Sequence, residues 1–202
     1  MRISHSIACN DFPCHDVNKE CYLVPDIDID PAKTKILMIS EAPPQDSGDY
    51  FYAKNNPAFM QTTIQAFGDA GLKVSSMEDL LRLGVYITTA VKCGKIGYSI
   101  SSKTVENCSS ILETELGLFP DIRVLMLMGD VAIKAMNYIA RRDIGKAVIP
   151  SGSTYKIRKN QFFYGATRVF PSYLQTGKNY LIEKSKRRMI AEDIKAAFEV
   201  LS

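Results

Sequence analysis

The 202-residue sequence has no tryptophan and only two histidines, His5 and His15, both near the N-terminus. It also has no apolar run of the roughly 18–20 residues that a membrane span needs. Its first residues, MRISHSIACNDFPCHDV, lack the apolar core of a secretion signal. The sequence therefore predicts a cytoplasmic protein that does not act at a membrane. In that compartment, five cysteines favour a metal, a metal cluster or buried thiols over disulfides.

The charge is nearly balanced overall but is distributed unevenly along the chain. Its net value is +3, yet residues 1–122 carry a balance of −6 and residues 123–202 a balance of +9. A basic half of this kind is typical of a surface for a polyanion, most often a nucleic acid. Solvated helix faces are the alternative explanation.

Three apolar runs of strand length, each followed by a loop and a helical pattern, dominate the chain from residue 31 onward. They cover residues 33–40, 85–91 and 122–129. Uncharged strands that alternate with helices predict an α/β/α sandwich of three layers with a central parallel sheet. Ligands bind such sheets beyond the carboxyl ends of the strands. We expect residues 1–30 to form an irregular, cysteine-rich arm and residues 31–202 to form a single domain.

In the remaining segments, the spacing of apolar residues predicts helices and edge strands. One helix is expected to end near Gly71, and a second to begin with Ser75 and Glu78 as its capping pair. The alternation in residues 153–173 predicts a hairpin or two edge strands. The predicted helices cover residues 56–72, 75–84, 103–116, 130–142 and 184–201.

Four segments resemble, in order and spacing, the motifs of the uracil-DNA glycosylase superfamily: ISEAPPQDSGDYFY, VYITTAVKC, LMLMGDVAIKAM and VFPSYLQTGKN. The resemblance is greatest to the group with an iron–sulfur cluster (family 4-like). It implies an α/β/α fold and hydrolysis of the N-glycosidic bond of a damaged or deaminated base, uracil or a related one, in DNA repair. It also implies DNA as the partner of a monomeric protein.

The resemblance further implies a four-iron, four-sulfur cluster held by four thiolates. Cys93 and Cys108 match the two later ligands of the family. Cys9 and Cys14 are the best matches in the arm, although their spacing differs from that of the family, and Cys21 is the reserve ligand. A zinc ion held by the same thiolates, or no metal, is the alternative.

The segment SEAPPQDSGDYFY resembles the first active-site motif of the family. Glu41 matches the acidic residue that acts beside the sugar, and Asp46 and Asp49 are further candidates for catalysis. A carboxylate there can stabilise positive charge on the sugar or orient water. Phe51 or Tyr52 falls near the aromatic residue that stacks on the extruded base. An ordinary turn with core aromatics is the alternative.

Two departures from the family lie at the base-binding positions. Thr89 replaces an asparagine whose amide pairs with the edge of uracil. The family histidine that donates to the departing base is replaced by Leu174 or Phe170, depending on the alignment. Gln175 and Lys178 are candidate replacements as donors, and so is Thr176. Thr89 and Gln175 are therefore predicted to contact the base edge.

Basic residues near the C-terminus are candidates for contacts with DNA phosphates. They are Lys178, Lys186, Arg187 and Arg188. The missing asparagine and histidine leave a second interpretation open, an inactive family member that binds nucleic acid or nucleotide through the same cleft. An unrelated nucleotide-binding protein is a weaker hypothesis, because no glycine-rich phosphate loop is present.

Overall fold

A five-stranded sheet forms the centre of the computed structural model. The structure describes residues 1–202, except for the side chains of Lys178 and Asn179. The strands are β1 (Val17–Asn18), β2 (Ile36–Ser40), β3 (Val85–Thr89), β4 (Gly94–Lys95), β5 (Val124–Met128), β6 (Phe162–Tyr164) and β7 (Thr167–Ser172). The order in the large sheet is β3-β2-β5-β7-β6, whereas β1 and β4 form a separate antiparallel pair.

Helices connect the strands and cover both faces of the sheet. They are α1 (Ala58–Asp69), α2 (Met77–Arg82), α3 (Ser102–Leu116), α4 (Asp130–Ile144), α5 (Thr154–Ile157), α6 (Lys178–Ile182) and α7 (Lys184–Glu199). Strands β3, β2, β5 and β7 run parallel, with Ile36 paired to both Val85 and Val124. No helix among the described residues is long and apolar enough to cross a lipid bilayer.

Two hydrophobic clusters lie on opposite faces of the sheet. Because side chains alternate along a strand, Met38 and Ile87 belong to one cluster, with α1, α2 and α7. Leu37 and Tyr86 belong to the other, with α3 and α4. The predicted α/β/α architecture is therefore confirmed, and full burial of β2, β3 and β5 explains why their sequences are uninterrupted apolar runs.

The sheet contains one antiparallel strand beside its parallel ones. In the segment 153–173, β6 and β7 form the predicted hairpin, and β7 also pairs in parallel with β5. The short helix α5 precedes this hairpin, where the alternating pattern had indicated strand. The α2 capping pair is shifted by one residue from its predicted position, since Ser76 and Asp79 cap the helix.

The N-terminal arm packs against the sheet domain with apolar side chains. Ile3, Ile7 and Val17 are buried in the cluster on the α3–α4 face. Strand β1 of this arm pairs with β4, which follows β3 closely in the chain. The arm therefore lies beside the carboxyl end of β3, the end at which ligands are expected.

Candidate active site and thiol cavity

Glu41 directly follows β2 and lies at the carboxyl edge of the sheet. Its side chain is only 18% exposed, and its Oε2 is 3.6 Å from the Nζ of Lys95. Lys95 belongs to β4, and the backbone N–H of Lys95 donates to Pro43 O over 3.4 Å. A partly buried carboxylate is thus held beside a cation at the predicted ligand-binding end.

Gly129 allows the Glu41 side chain to pass close to the start of α4. Its φ of +99° favours glycine, and a Cβ there would lie 2.8 Å from Glu41 Oε1. Because the N-terminus of a helix carries partial positive charge, it favours a nearby carboxylate. The chain therefore supplies both a cation and a helix end next to Glu41.

Two clefts, each of about 470 Å³, open at this edge and share Glu41, Leu174 and Thr176. The first, the Ser172 cleft, is also lined by Gly129, Asp130, Gly152, Ser153, Thr154, Ser172, Tyr173, Tyr180, Glu183 and Lys186. The second, the Pro43 cleft, is also lined by Ala42, Pro43, Pro44, Gln45, Asp46, Asp49, Phe59, Lys95, Gly97 and Gly177. Glu41 thus lies where the two clefts meet.

The end of β7 is fixed by a buried charged network that no pattern in the sequence predicts. Ser172 donates from its hydroxyl to Asp193 Oδ2 over 2.6 Å, and Asp193 also binds Arg158 at 2.7 Å. Burial raises the pKa of Asp193, although the bonds from Ser172 and Arg158 act in the opposite direction. This network holds the wall of the Ser172 cleft at the point where the chain leaves the sheet.

Buried hydroxyl groups without hydrogen-bond partners lie next to this edge. The Oγ of Ser40, the Oγ1 of Thr89 and the OH of Tyr50 have no partner within the described part of the chain. Ser40 and Thr89 are neighbours across β2 and β3. An unpaired buried polar group costs about 1–3 kcal/mol, so such groups call for an explanation, and a ligand is one.

The side-chain amide of Gln175 is also buried without hydrogen-bond partners in the described part of the chain, and it offers both a donor and an acceptor. Its side chain is fully buried, and neither Nε2 nor Oε1 has a partner among the described residues. The flanking residues Leu174 and Thr176 line both clefts. A free amide presents a donor and an acceptor together, which suits the edge of a nucleobase. Phe170, the other candidate for the missing histidine position, is buried within β7.

Asp46 and Asp49 line the Pro43 cleft but also stabilise local turns. Asp46 accepts from Gly48 N over 2.8 Å, and Asp49 accepts from Ala58 N over 3.3 Å at the start of α1. Both residues are exposed. Their carboxylates therefore have structural partners, whereas Glu41 faces both clefts.

The predicted stacking aromatics lie in the core. Phe51 is fully buried and packs against Tyr50 and Phe59. Tyr52 donates to Ile87 O over 2.9 Å. Among the described residues, Phe59 is the aromatic side chain that lines the Pro43 cleft. The sequence did not single out Phe59, because it lies within the apolar stripe of a helix.

The predicted DNA-binding residues differ in how exposed their side chains are and in whether an acidic residue already binds them. Lys186 lines the Ser172 cleft and pairs with Glu183 at 2.7 Å, and Arg188 is 80% exposed. Arg187 donates two hydrogen bonds to Asp69, of 2.9 and 2.8 Å, which tie α7 to α1. The side chain of Lys178 lies outside the described residues.

Four of the five cysteines line one small cavity between the arm and the sheet domain. Cys9, Cys14, Cys93 and Cys108 surround it, with a volume of about 40 Å³. Burial raises the pKa of Cys93 to about 12, and the charges of the other three cysteines add to this rise. Burial likewise raises the pKa of Cys108 to about 11. The predicted cysteines are therefore brought together.

Cys21 lies apart from this cavity. Its thiol contacts Gln45 O at 3.2 Å, and its Cβ is close to Gly94. Within the described residues, no three Cys, His, Asp or Glu side chains converge closely enough to hold a single metal ion. A zinc site needs all four sulfurs at about 2.3 Å from one ion. In a four-iron cluster each thiolate binds a different iron, so the sulfurs lie farther apart.

A buried ion pair connects the thiol cavity with the end of β3. The backbone N–H of Lys92 donates to Cys108 Sγ over 3.2 Å, and its Nζ lies 2.5 Å from Glu115 Oε2. The same Nζ donates to Thr88 Oγ1 and to Thr89 O, over 2.8 and 2.6 Å. Lys92 therefore fixes the backbone of Thr89, a candidate for contact with the base.

The comparisons with known proteins agree with this fold and with the motifs. The family description "Uracil DNA glycosylase superfamily" matches residues 27–195. A type-5 uracil-DNA glycosylase from Thermus thermophilus is 28% identical over 153 residues, which cover 72% of this chain and 69% of that protein. The resemblance is confirmed at the level of the superfamily. Since the match spans most of the chain, from the end of the arm into α7, this protein belongs to the uracil DNA glycosylase superfamily.

Proposed function

We propose that this protein is a DNA N-glycosylase that hydrolyses the bond between a damaged or deaminated base and its deoxyribose. One observation carries the proposal: Glu41 lies where two clefts meet, at a sheet edge that also holds buried, unpaired polar groups. Family membership and the named relative support a hydrolase of this type. Uracil or a related base is the proposed substrate, and base-excision repair is the proposed role.

Glu41 acts on the sugar in this proposal. As the glycosidic bond breaks, positive charge develops on the sugar ring, and a carboxylate nearby lowers the energy of that state. Lys95 and the start of α4 keep the carboxylate in place, because both carry complementary charge. Asp46 and Asp49 line the same cleft, but a backbone N–H of a local turn or helix start binds each carboxylate, so their contribution to the reaction is small in this proposal.

Thr89, Gln175 and Phe59 act on the base. The Gln175 amide pairs with polar atoms of the base edge, and the Thr89 hydroxyl contributes a further hydrogen bond. Phe59 offers a stacking face in the Pro43 cleft. Thr89 lacks the bidentate face of the family asparagine, so we expect weaker discrimination between uracil and other bases.

Lys186 and Arg188 contact DNA phosphates in this proposal. Both lie in the first turns of α7, and Lys186 lines the Ser172 cleft. Arg187 contributes less to DNA binding, since its guanidinium is engaged by Asp69. Phosphate contacts made by Lys and Arg position the protein on DNA without selecting a sequence.

An excision assay on a panel of oligonucleotides tests the proposed activity. The panel carries uracil, hypoxanthine, xanthine or an oxidised pyrimidine, each in double-stranded and single-stranded form. We expect single-turnover release of at least one of these bases, and slower uracil release than in enzymes with the full family motif. If the protein binds the panel but releases none of these bases, the second interpretation, binding without excision, becomes the better account.

We also propose that Cys9, Cys14, Cys93 and Cys108 hold a four-iron, four-sulfur cluster. The chemistry of the cavity supports this, since four thiols and mainly apolar side chains surround one space. The backbone N–H of Lys92 already points at Cys108 Sγ, as donors to cluster sulfurs do. When bound, the cluster would join the arm to the domain through four covalent bonds.

Removal of one cysteine tests this assignment. Anaerobically purified protein is expected to be brown and to contain about four irons per chain. Cys108→Ser is expected to lose most of the iron and to unfold at a lower temperature, because the arm then keeps only its apolar packing and the β1–β4 pairing as links to the domain. Cys21→Ser is the matched control and should keep both colour and iron. Equal iron loss in both variants, or a parent protein without iron, would contradict the assignment.

A further inference from the structure

We infer that the phenol of Tyr22 donates a hydrogen bond to a sulfur of the iron–sulfur cluster in the thiol cavity and thereby raises the reduction potential of that cluster. This inference rests on the proposed cluster and is independent of base excision. Tyr22 lines the cavity together with Cys9, Cys14, Cys93 and Cys108. Its OH is buried and has no hydrogen-bond partner within the described residues. An unpaired buried hydroxyl destabilises a fold, so it calls for an acceptor that arrives with a ligand.

The Tyr22 hydroxyl carries its proton at neutral pH and can act as a donor. Burial raises the pKa of Tyr22 to about 12. The backbone N–H of Cys9 acts on this pKa in the opposite direction, but it is itself a donor and offers no acceptor to the phenol hydrogen. A cysteine that binds iron is deprotonated, and its sulfur is then a stronger acceptor than a thiol. The phenol hydrogen therefore gains a suitable partner when the cysteines hold the cluster.

Contacts of both the ring and the backbone hold Tyr22 against the cavity. Its ring packs edge-to-face against Phe12, with the ring centroids 5.2 Å apart and an interplanar angle of 80°. The next residue, Leu23, donates its backbone N–H to Lys92 O over 2.7 Å, and Lys92 directly precedes Cys93. A side chain that is already anchored loses little freedom when it binds, so the hydrogen bond to sulfur costs little entropy.

The other polar groups around the cavity are less suited to this role. Lys19 and Asn107 also line it, but Lys19 is exposed and Asn107 is partly exposed, so water can satisfy their side chains. The backbone N–H of Lys92 already donates to Cys108 Sγ over 3.2 Å. Hydrogen bonds to the sulfurs of a cluster stabilise its reduced, more negative form, and each donor therefore raises the reduction potential. Tyr22 adds a second donor, from a side chain.

The reduction potential of the iron-loaded protein tests this donor without requiring catalysis. Anaerobically purified protein is titrated with dithionite in the presence of redox mediators, and the reduced cluster is followed by electron paramagnetic resonance. We expect Tyr22→Phe, which removes only the hydroxyl, to keep its iron and to be harder to reduce. At the midpoint potential of the parent, the ratio of reduced to oxidised cluster in this variant should fall about tenfold, which corresponds to about 59 mV for one electron.

Tyr50→Phe is the matched control, since the Tyr50 OH is also buried and unpaired among the described residues but packs on the opposite face of the sheet. It should keep the potential of the parent. A parent without iron overturns both the proposed cluster and this inference. An iron-loaded parent with the same potential as Tyr22→Phe, or equal shifts in the Tyr22 and Tyr50 variants, overturns the donor alone. So does loss of iron from Tyr22→Phe but not from Tyr50→Phe, because the phenol would then hold the cavity together. A potential that depends on Tyr22 in a protein that releases no base supports the donor and contradicts only the proposed excision.

Discussion

Replacing Glu41 with glutamine is expected to lower the single-turnover rate of base excision by about 10²–10³-fold, within the range for loss of one group that stabilises charge in a transition state. The affinity for DNA should change much less, because the charge on the sugar develops only as the bond breaks. Glutamine keeps the size of the side chain, so its packing against Gly129 is retained. The measurement is base release with enzyme in excess, alongside DNA binding.

The control for this prediction is Asp46→Asn. Asp46 lines the same cleft as Glu41, but its Oδ1 accepts from Gly48 N at the start of a short turn. An asparagine can keep that bond, since its side-chain oxygen also accepts. We expect the rate to stay within a few-fold of the parent. Equal losses for Glu41→Gln and Asp46→Asn would mean that Glu41 has no special part in the reaction.

The sheet and the edge that carries the site could be predicted from the sequence for a simple physical reason. A strand buried on both faces must be apolar throughout, and β2, β3 and β5 therefore stand out as short runs without charge. In parallel strands the carboxyl ends meet at one edge. Glu41 directly follows β2 and Thr89 is the last residue of β3, so both lie at that edge.

Groups that approach from distant parts of the chain were not predictable in this way. Lys95 reaches Glu41 from β4, which pairs with β1 of the arm, and Asp193 reaches Ser172 from α7, which packs against β7. Neither contact leaves a periodicity in the sequence. In the sequence, Gly129 looks like any glycine before a helix. A larger residue is excluded there because its Cβ would clash with the side chain of Glu41.

The aromatic cluster after Glu41 shows how burial changes the interpretation of a motif. Phe51 and Tyr52 were predicted to stack on a base because of their place in the motif. The structure buries Phe51 against Phe59 and uses the Tyr52 hydroxyl to bind the backbone of β3. The position of a residue in a loop motif does not fix which ring faces a cleft, because loops of different length orient the same motif residues differently.

In the N-terminal arm, the sequence left several candidate residues open and the structure separates them. Spacing alone left Cys9, Cys14 and Cys21 open as ligands, because their gaps of four and six residues differ from the gap of two residues in the family. Folding separates them, since the pairing of β1 with β4 turns the arm back onto the domain. Two of the three then line the cavity with Cys93, while Cys21 contacts a loop carbonyl. Which of the arm cysteines approach Cys93 thus depends on a contact that only the folded chain defines.

Replacing Gln175 with methionine is expected to raise stability and to lower activity at the same time. In the free protein the buried amide has no partner among the described residues, and each such group costs about 1–3 kcal/mol. Methionine has a similar volume and no polar group to satisfy, so the free energy of unfolding should increase. For a chain of this size, each 1 kcal/mol raises Tm by about 2–4 °C.

The loss of activity follows from the same amide. If it pairs with the base edge, its removal leaves polar atoms of the base unpaired in the closed site, and excision should slow by about 10–100-fold, which corresponds to roughly 1.4–2.7 kcal/mol. Thr89→Val should show the same two effects, smaller in size, because its hydroxyl is also buried and unpaired. Thermal unfolding and single-turnover excision measure both effects on the same samples.

Thr62→Val is the matched control for both changes. Thr62 is buried like Thr89, but its hydroxyl donates to Ala58 O over 3.1 Å within α1. Its removal therefore relieves no unpaired group, and excision should not change. A Gln175→Met variant that is both less stable and fully active would show that the amide supports the fold and does not contact the base. Suppose that Gln175→Met and Thr89→Val both raise the free energy of unfolding and slow excision, while Thr62→Val does neither. The site would then be built at the expense of stability in order to bind a base.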